Sequence, residues 1–121
     1  MISWLPVRTV VVTIASASAL AMAQYVRAGD RGATRGAAVF SKYCVLCHGA
    51  SGVGDGRAAP LQKVPPADLT VSTRPRSYKL QIVTRGGAEM GRSESMPAWR
   101  EVLTEAEIQD VVSYVQTLNG P

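Results

Sequence analysis

The stretch Arg35-Gly36-Ala37-Ala38-Val39-Phe40-Ser41-Lys42-Tyr43-Cys44-Val45-Leu46-Cys47-His48-Gly49 decides how this chain is read. Its second half holds Cys44-Val45-Leu46-Cys47-His48, a C-x-x-C-H run with the spacing of a c-type haem attachment site. Two thiols one helical turn apart can each add to one vinyl group of a haem. The adjacent imidazole then lies beneath the iron as proximal axial ligand. The chain has only these 2 cysteines and this 1 histidine, so the motif uses every one of them. A thioredoxin-like dithiol calls for a βαβ pattern around the pair, which is missing here. A closed structural zinc site needs four ligands, and two Cys with one His fall short. A disulfide between residues so close together would constrain almost nothing.

A chain of 121 residues makes one small domain, and a domain of this size buries a limited core of its own. A haem is a large, flat, apolar body that supplies much of what is missing. An aromatic content of only 6% fits that arrangement, because the cofactor takes the place that Phe and Trp fill elsewhere. The formal charge is +4, unevenly spread. From Arg27 to Arg85 there are 10 basic residues against 3 acidic; from Gly86 onward there are 2 basic against 6 acidic. The body around the motif is thus basic, which suits an acidic protein partner. The absence of Lys/Arg-rich runs with interleaved aromatics argues against nucleic acid.

Residues 1–23 have the pattern of an export segment: Arg8 as positive n-region, an apolar run from Val10, and the small-x-small pattern Ala21-Met22-Ala23. The competing reading is an uncleaved membrane anchor, but the run is short and diluted by Thr13, Ser16 and Ser18. On either reading the folded domain, residues 24–121, lies outside the cytoplasm, and the periplasm is the expected compartment. A first helix is expected from near Ala33 into Cys44, with Val39, Phe40 and Tyr43 on its apolar face. Gly36 inside it costs roughly 1 kcal/mol relative to Ala, which implies close approach of another helix. Residues 48–66 are rich in Gly and Pro and read as a loop. A middle helix is expected over 76–85, stopped by Gly86 and Gly87. The final helix carries the strongest signals. Thr104 and Glu107 form a capping box, Leu103 and Ile108 a hydrophobic staple, and Ile108, Val111, Val112, Val115 and Leu118 one apolar stripe. No strand is expected.

With His48 below the iron, no imidazole remains for the other face, and for a six-coordinate iron a thioether is the natural second axial ligand. Outside the leader there are two, Met90 and Met96. Met96 precedes Pro97, which stiffens the backbone that presents the sulfur, and is preferred; Met90, beside glycine, is the alternative. A soft thioether favours ferrous iron and raises the reduction potential.

These residues together resemble the class I cytochromes c. The resemblance is carried by Gly36 through Gly49, then Gly52-Val53-Gly54-Asp55-Gly56, Pro65-Pro66-Ala67-Asp68-Leu69-Thr70, Ser95-Met96-Pro97-Ala98-Trp99 and Leu103-Thr104-Glu105-Ala106-Glu107-Ile108. It implies an all-α fold of three to four helices around one covalent haem c, with the first and last helices crossing. Gly36 and Phe40 then meet the last helix near Val111 and Tyr114. Cys44 and Cys47 hold the thioethers, and His48 and Met96 the iron. In the family, a loop proline lends its carbonyl to the Nδ1–H of the histidine; Pro60 stands at that place. The sparse lysines depart from the lysine-ringed mitochondrial carriers, so their docking surface is not transferred.

The function implied is one-electron transfer between respiratory or dehydrogenase proteins, without catalysis at the iron. A chain fixed in a membrane complex by its N-terminal segment is the alternative. A haem enzyme or gas sensor, which needs an open sixth position, is a remoter one. The intact mass of the purified native protein is expected to equal residues 24–121 plus one haem; a mass retaining residues 1–23 identifies the anchored form.

Overall fold

The computed structural model describes residues 7–119. Its helices are α1 (Val7–Tyr43), α2 (Val45–His48), α3 (Arg76–Glu89) and α4 (Glu105–Leu118), with one 3-10 turn at Ala59–Leu61 between α2 and α3. No strand occurs among the described residues, so the all-α class expected from the sequence is the one observed.

The chain divides into two compact units, Met1–Asp30 and Arg31–Pro121. In the first, the described residues from Val7 onward are helical, and the Met22 and Tyr25 side chains are exposed. The export segment expected at 1–23 lies partly outside the described residues. Among those described, no helix is long and apolar enough to cross a membrane. Helix α1 begins well before Ala33, the start expected for it. No proline interrupts residues 7–43, and Gly29 and Gly32 weaken a helix without ending it.

The second unit is built on contact between the end of α1 and α4. A Cβ at Gly36 would overlap the Asp110 carbonyl and lie 2.9 Å from Tyr114 Cβ. Glycine is therefore required by close approach of the two backbones. One turn later Phe40, 2% exposed, joins Val111, Val112 and Val115 in the core. Its ring lies 5.2 Å from that of Tyr114, tilted by 56°, a favourable aromatic geometry. Arg35 donates to both carboxylate oxygens of Asp110, at 2.6 and 2.8 Å. Around this cluster pack Cys44, Val45, Leu69, Leu80, Val83 and Leu118.

Helix α4 starts as its sequence dictates. Thr104 N–H donates to Glu107 Oε2 at 2.9 Å and Glu107 N–H to Thr104 Oγ1 at 3.3 Å. The staple residues Leu103 and Ile108 are both buried. Helix α3 is tied to α4 at its first residue. Arg76 donates to Gln109 Oε1 at 2.7 Å, Gln116 Oε1 at 2.6 Å and Ser113 Oγ at 3.2 Å. The regular part of α3 stops at Gly86, where φ is 80° and ψ 170°, the stop expected there.

Phe40→Ala is expected to lower unfolding free energy by about 3–5 kcal/mol in denaturant titrations, the range for truncating a buried Phe. The Glu107 carboxyl is held below its ordinary value of 4.5, first by the Thr104 backbone N–H and then by its hydroxyl. A carboxyl depressed by folding contributes stability that is fully present above its unfolded pKa and lost as pH falls through its folded one. The melting temperature is therefore expected to decline on acidification below pH 4.5, and Glu107→Gln to make that decline shallower.

Candidate haem site

Helix α1 passes into α2 with one turn's continuity. Cys44 N–H donates to Phe40 O at 2.9 Å, and His48 N–H to Cys44 O at 2.9 Å. Cys44 and Cys47 therefore sit one helical turn apart, both as free thiols. Burial, assisted by the neighbouring Cys47, pushes the Cys44 thiol up to about 11. It is therefore a neutral thiol at pH 7. Burial also pushes the His48 imidazole down, against a smaller opposing effect of its bond to Ala67, so the ring is neutral at pH 7. Its Nδ1 lies 3.2 Å from Ala67 O. A carbonyl only accepts, so Nδ1 carries the proton and the Nε2 lone pair is left for a metal.

The carbonyl at His48 is thus that of Ala67 and not that of Pro60, which corrects the expectation from the sequence. The reason lies in how the loop folds back. Ala58 N–H donates to Leu46 O at 2.8 Å, Gly56 N–H to Cys47 O at 3.1 Å and Gly54 N–H to His48 O at 2.8 Å. That pairing leaves Pro60 in the 3-10 turn, where it is exposed. The chain then returns, and Leu69 N–H donates to Gly52 O at 2.7 Å, which lays residues 66–69 across the motif. Gly54, with φ of 87°, permits the crossing: a Cβ there would lie 3.3 Å from Pro66 C and crowd its oxygen.

Met96 is half-buried in the segment between α3 and α4. That segment is laid on the C-terminal end of α3 by long-range backbone bonds: Gly87 N–H to Met96 O at 2.8 Å, Trp99 N–H to Val83 O at 3.0 Å and Arg100 N–H to Thr84 O at 3.4 Å. Met90 is also half-buried but sits in a local turn, its N–H donating to Gly87 O at 3.2 Å. An edge-on pair, Tyr43 and Trp99 with ring centroids 5.4 Å apart, joins the residue before Cys44 to the segment following Met96. Cys44, Cys47 and His48 thus share one turn, Met96 lies on a separate segment seated on Gly87, and Pro60 stands apart.

The donors fit a c-type haem: two free thiols at the right spacing, a neutral imidazole with Nε2 available, and thioethers on a different segment. Three features of the site carry no local signal in the sequence. The Ala67 carbonyl lies within the Pro65–Thr70 run but has no side-chain signal. The Tyr43–Trp99 pair and the seat of Met96 on Gly87 join residues far apart in the chain.

The family model described as cytochrome c oxidase, cbb3-type, subunit III matches residues 31–115. Among solved structures, a chain of the Kuenenia stuttgartiensis reducing HAO-like protein complex is similar, with 25% identity and a TM-score of 0.65. The alignment covers 73% of this chain and 44% of that one, so the present chain matches less than half the length of its neighbour. The all-α fold, the C-x-x-C-H turn and the span of this match assign the chain to the cbb3-type subunit III family, within the class I cytochromes c, as a haem c-binding electron-transfer domain.

Proposed function

We propose that the domain is a one-electron carrier with a single haem c, ligated by His48 and Met96 and held by Cys44 and Cys47. The observation that carries this reading is the pairing of a proton-fixed imidazole with a thioether segment pinned by backbone bonds. When bound, the haem supplies a ferrous/ferric couple. The chain's residues keep that couple outer-sphere. Ala67 O holds the His48 tautomer and ring orientation. The seat on α3 holds the backbone of Met96, and the Tyr43–Trp99 contact ties the two segments together. Two firm axial ligands leave no position for a substrate, which supports a carrier over an enzyme.

The partners are redox proteins, and the excess of basic residues between Arg27 and Arg85 favours an acidic docking face on them. The Arg8, Val10 and Ala21-Met22-Ala23 pattern supports export through residues 1–23 and with it a periplasmic setting for the proposed carrier. A second reading, a cytochrome fixed in a larger assembly by a retained N-terminal segment, is favoured by two observations. The family is described as an oxidase subunit, and the structural neighbour comes from a protein complex. N-terminal sequencing after membrane fractionation separates the free from the fixed form.

Met96→Ala is expected to lower the reduction potential and abolish the long-wavelength sulfur-to-iron absorption band. Loss of the band in Met90→Ala instead would reassign the ligand. The ferrous native protein is expected not to bind carbon monoxide at neutral pH, and ready binding would sink the carrier reading.

A further inference from the structure

We propose that the Gly86-Gly87 break in α3 is the device that positions Met96; the inference rests on the reading of Met96 as axial ligand. In an unbroken α-helix the Gly87 N–H would donate to Val83 O. Here Gly86 takes φ 80° and ψ 170°, a region essentially confined to glycine, and the two groups part. Gly87 N–H donates to Met96 O at 2.8 Å, while Val83 O accepts from Trp99 N–H at 3.0 Å. The break thus hands a helix donor and a helix acceptor to the residues on either side of Pro97. A third bond, Arg92 N–H to Gly87 O at 2.7 Å, closes the start of the same segment.

The fit leaves no room for a side chain. A Cβ at Gly86 would lie 2.7 Å from Ala98 N, 2.9 Å from Pro97 C and 3.0 Å from Met96 O. At Gly87 it would overlap the Ser93 carbonyl and come within 3.3 Å of Met96 Cβ. Gly91 differs: its φ is 63°, but nothing lies within 4 Å of a Cβ there. Gly91 turns the chain, whereas Gly86 and Gly87 seat it. A binding group must be held to within about 0.5 Å of its working position, so a side chain at either seat displaces the thioether.

The experiment compares the holoprotein with Gly87→Ala, Gly91→Ala and Met96→Ala. Covalent haem is read by intact mass, the sulfur-to-iron band by absorption, and the ferric iron's accessibility by imidazole titration. Gly87→Ala is expected to keep covalent haem, lose most of the band and bind imidazole about tenfold more tightly; Gly91→Ala is expected to keep the band. A Gly87→Ala protein with native band and native imidazole affinity overturns the proposal. Hydrogen exchange supplies a test that does not depend on Gly87→Ala folding. In Met96→Ala the Gly87 and Trp99 amides are expected to stay protected, because the seat and not the iron holds the segment. Loss of that protection overturns the positioning role while leaving Met96 as ligand. A Met96→Ala protein that retains the band overturns the ligand reading, and the positioning role with it.

Discussion

Where α1 passes α4, the missing side chain at Gly36 lets one backbone rest on the other, with the Asp110 carbonyl where a Cβ would be. That contact sets the spacing at which Phe40 reaches Val111, Val112 and Val115 one turn later. Arg35 and Asp110 close the same junction with a bidentate ion pair, but Arg35 is largely exposed and water screens the pair. The apolar contact is the stronger constraint. Because α2 continues α1 across a single turn at Cys44, whatever fixes α1 on α4 also fixes where the two thiols and the imidazole stand.

The two sides of the site are then built mostly from backbone. On the histidine side, the loop after α2 returns its amides to Leu46, Cys47 and His48 before crossing back to offer Ala67 O to the ring. On the methionine side, the segment around Met96 lies on the broken end of α3. Both arrangements depend on glycines at which a Cβ would strike another stretch of main chain. The Tyr43–Trp99 pair connects them. Helix α4 organises the assembly from behind, since it packs on α1 through its apolar stripe and holds α3 through Arg76.

Much of this was legible in the chain because its causes are local. The C-x-x-C-H spacing is a matter of one helical turn. The Thr104–Glu107 box is closed by residues three apart, and the stripe from Ile108 to Val115 follows the helical period. The adjacent pair Gly86-Gly87 signals the stop of the middle helix. Gly36 was readable as a packing site because a glycine inside a good helix is costly without a neighbour. The start of α1 was less so, because weakened propensity at Gly29 and Gly32 does not by itself end a helix.

What the sequence by itself determined is the donor chemistry and the helices that carry it, since those follow from residue type and short-range spacing. Which carbonyl faces His48 was decided only by the tertiary structure. Pro60 and Ala67 both offer one, and the choice between them turned on how many loop amides were drawn back onto α2 before the chain crossed. The same holds for the seat of Met96 on Gly87. A backbone hydrogen bond carries no residue identity, so only the closed chain reveals its partner.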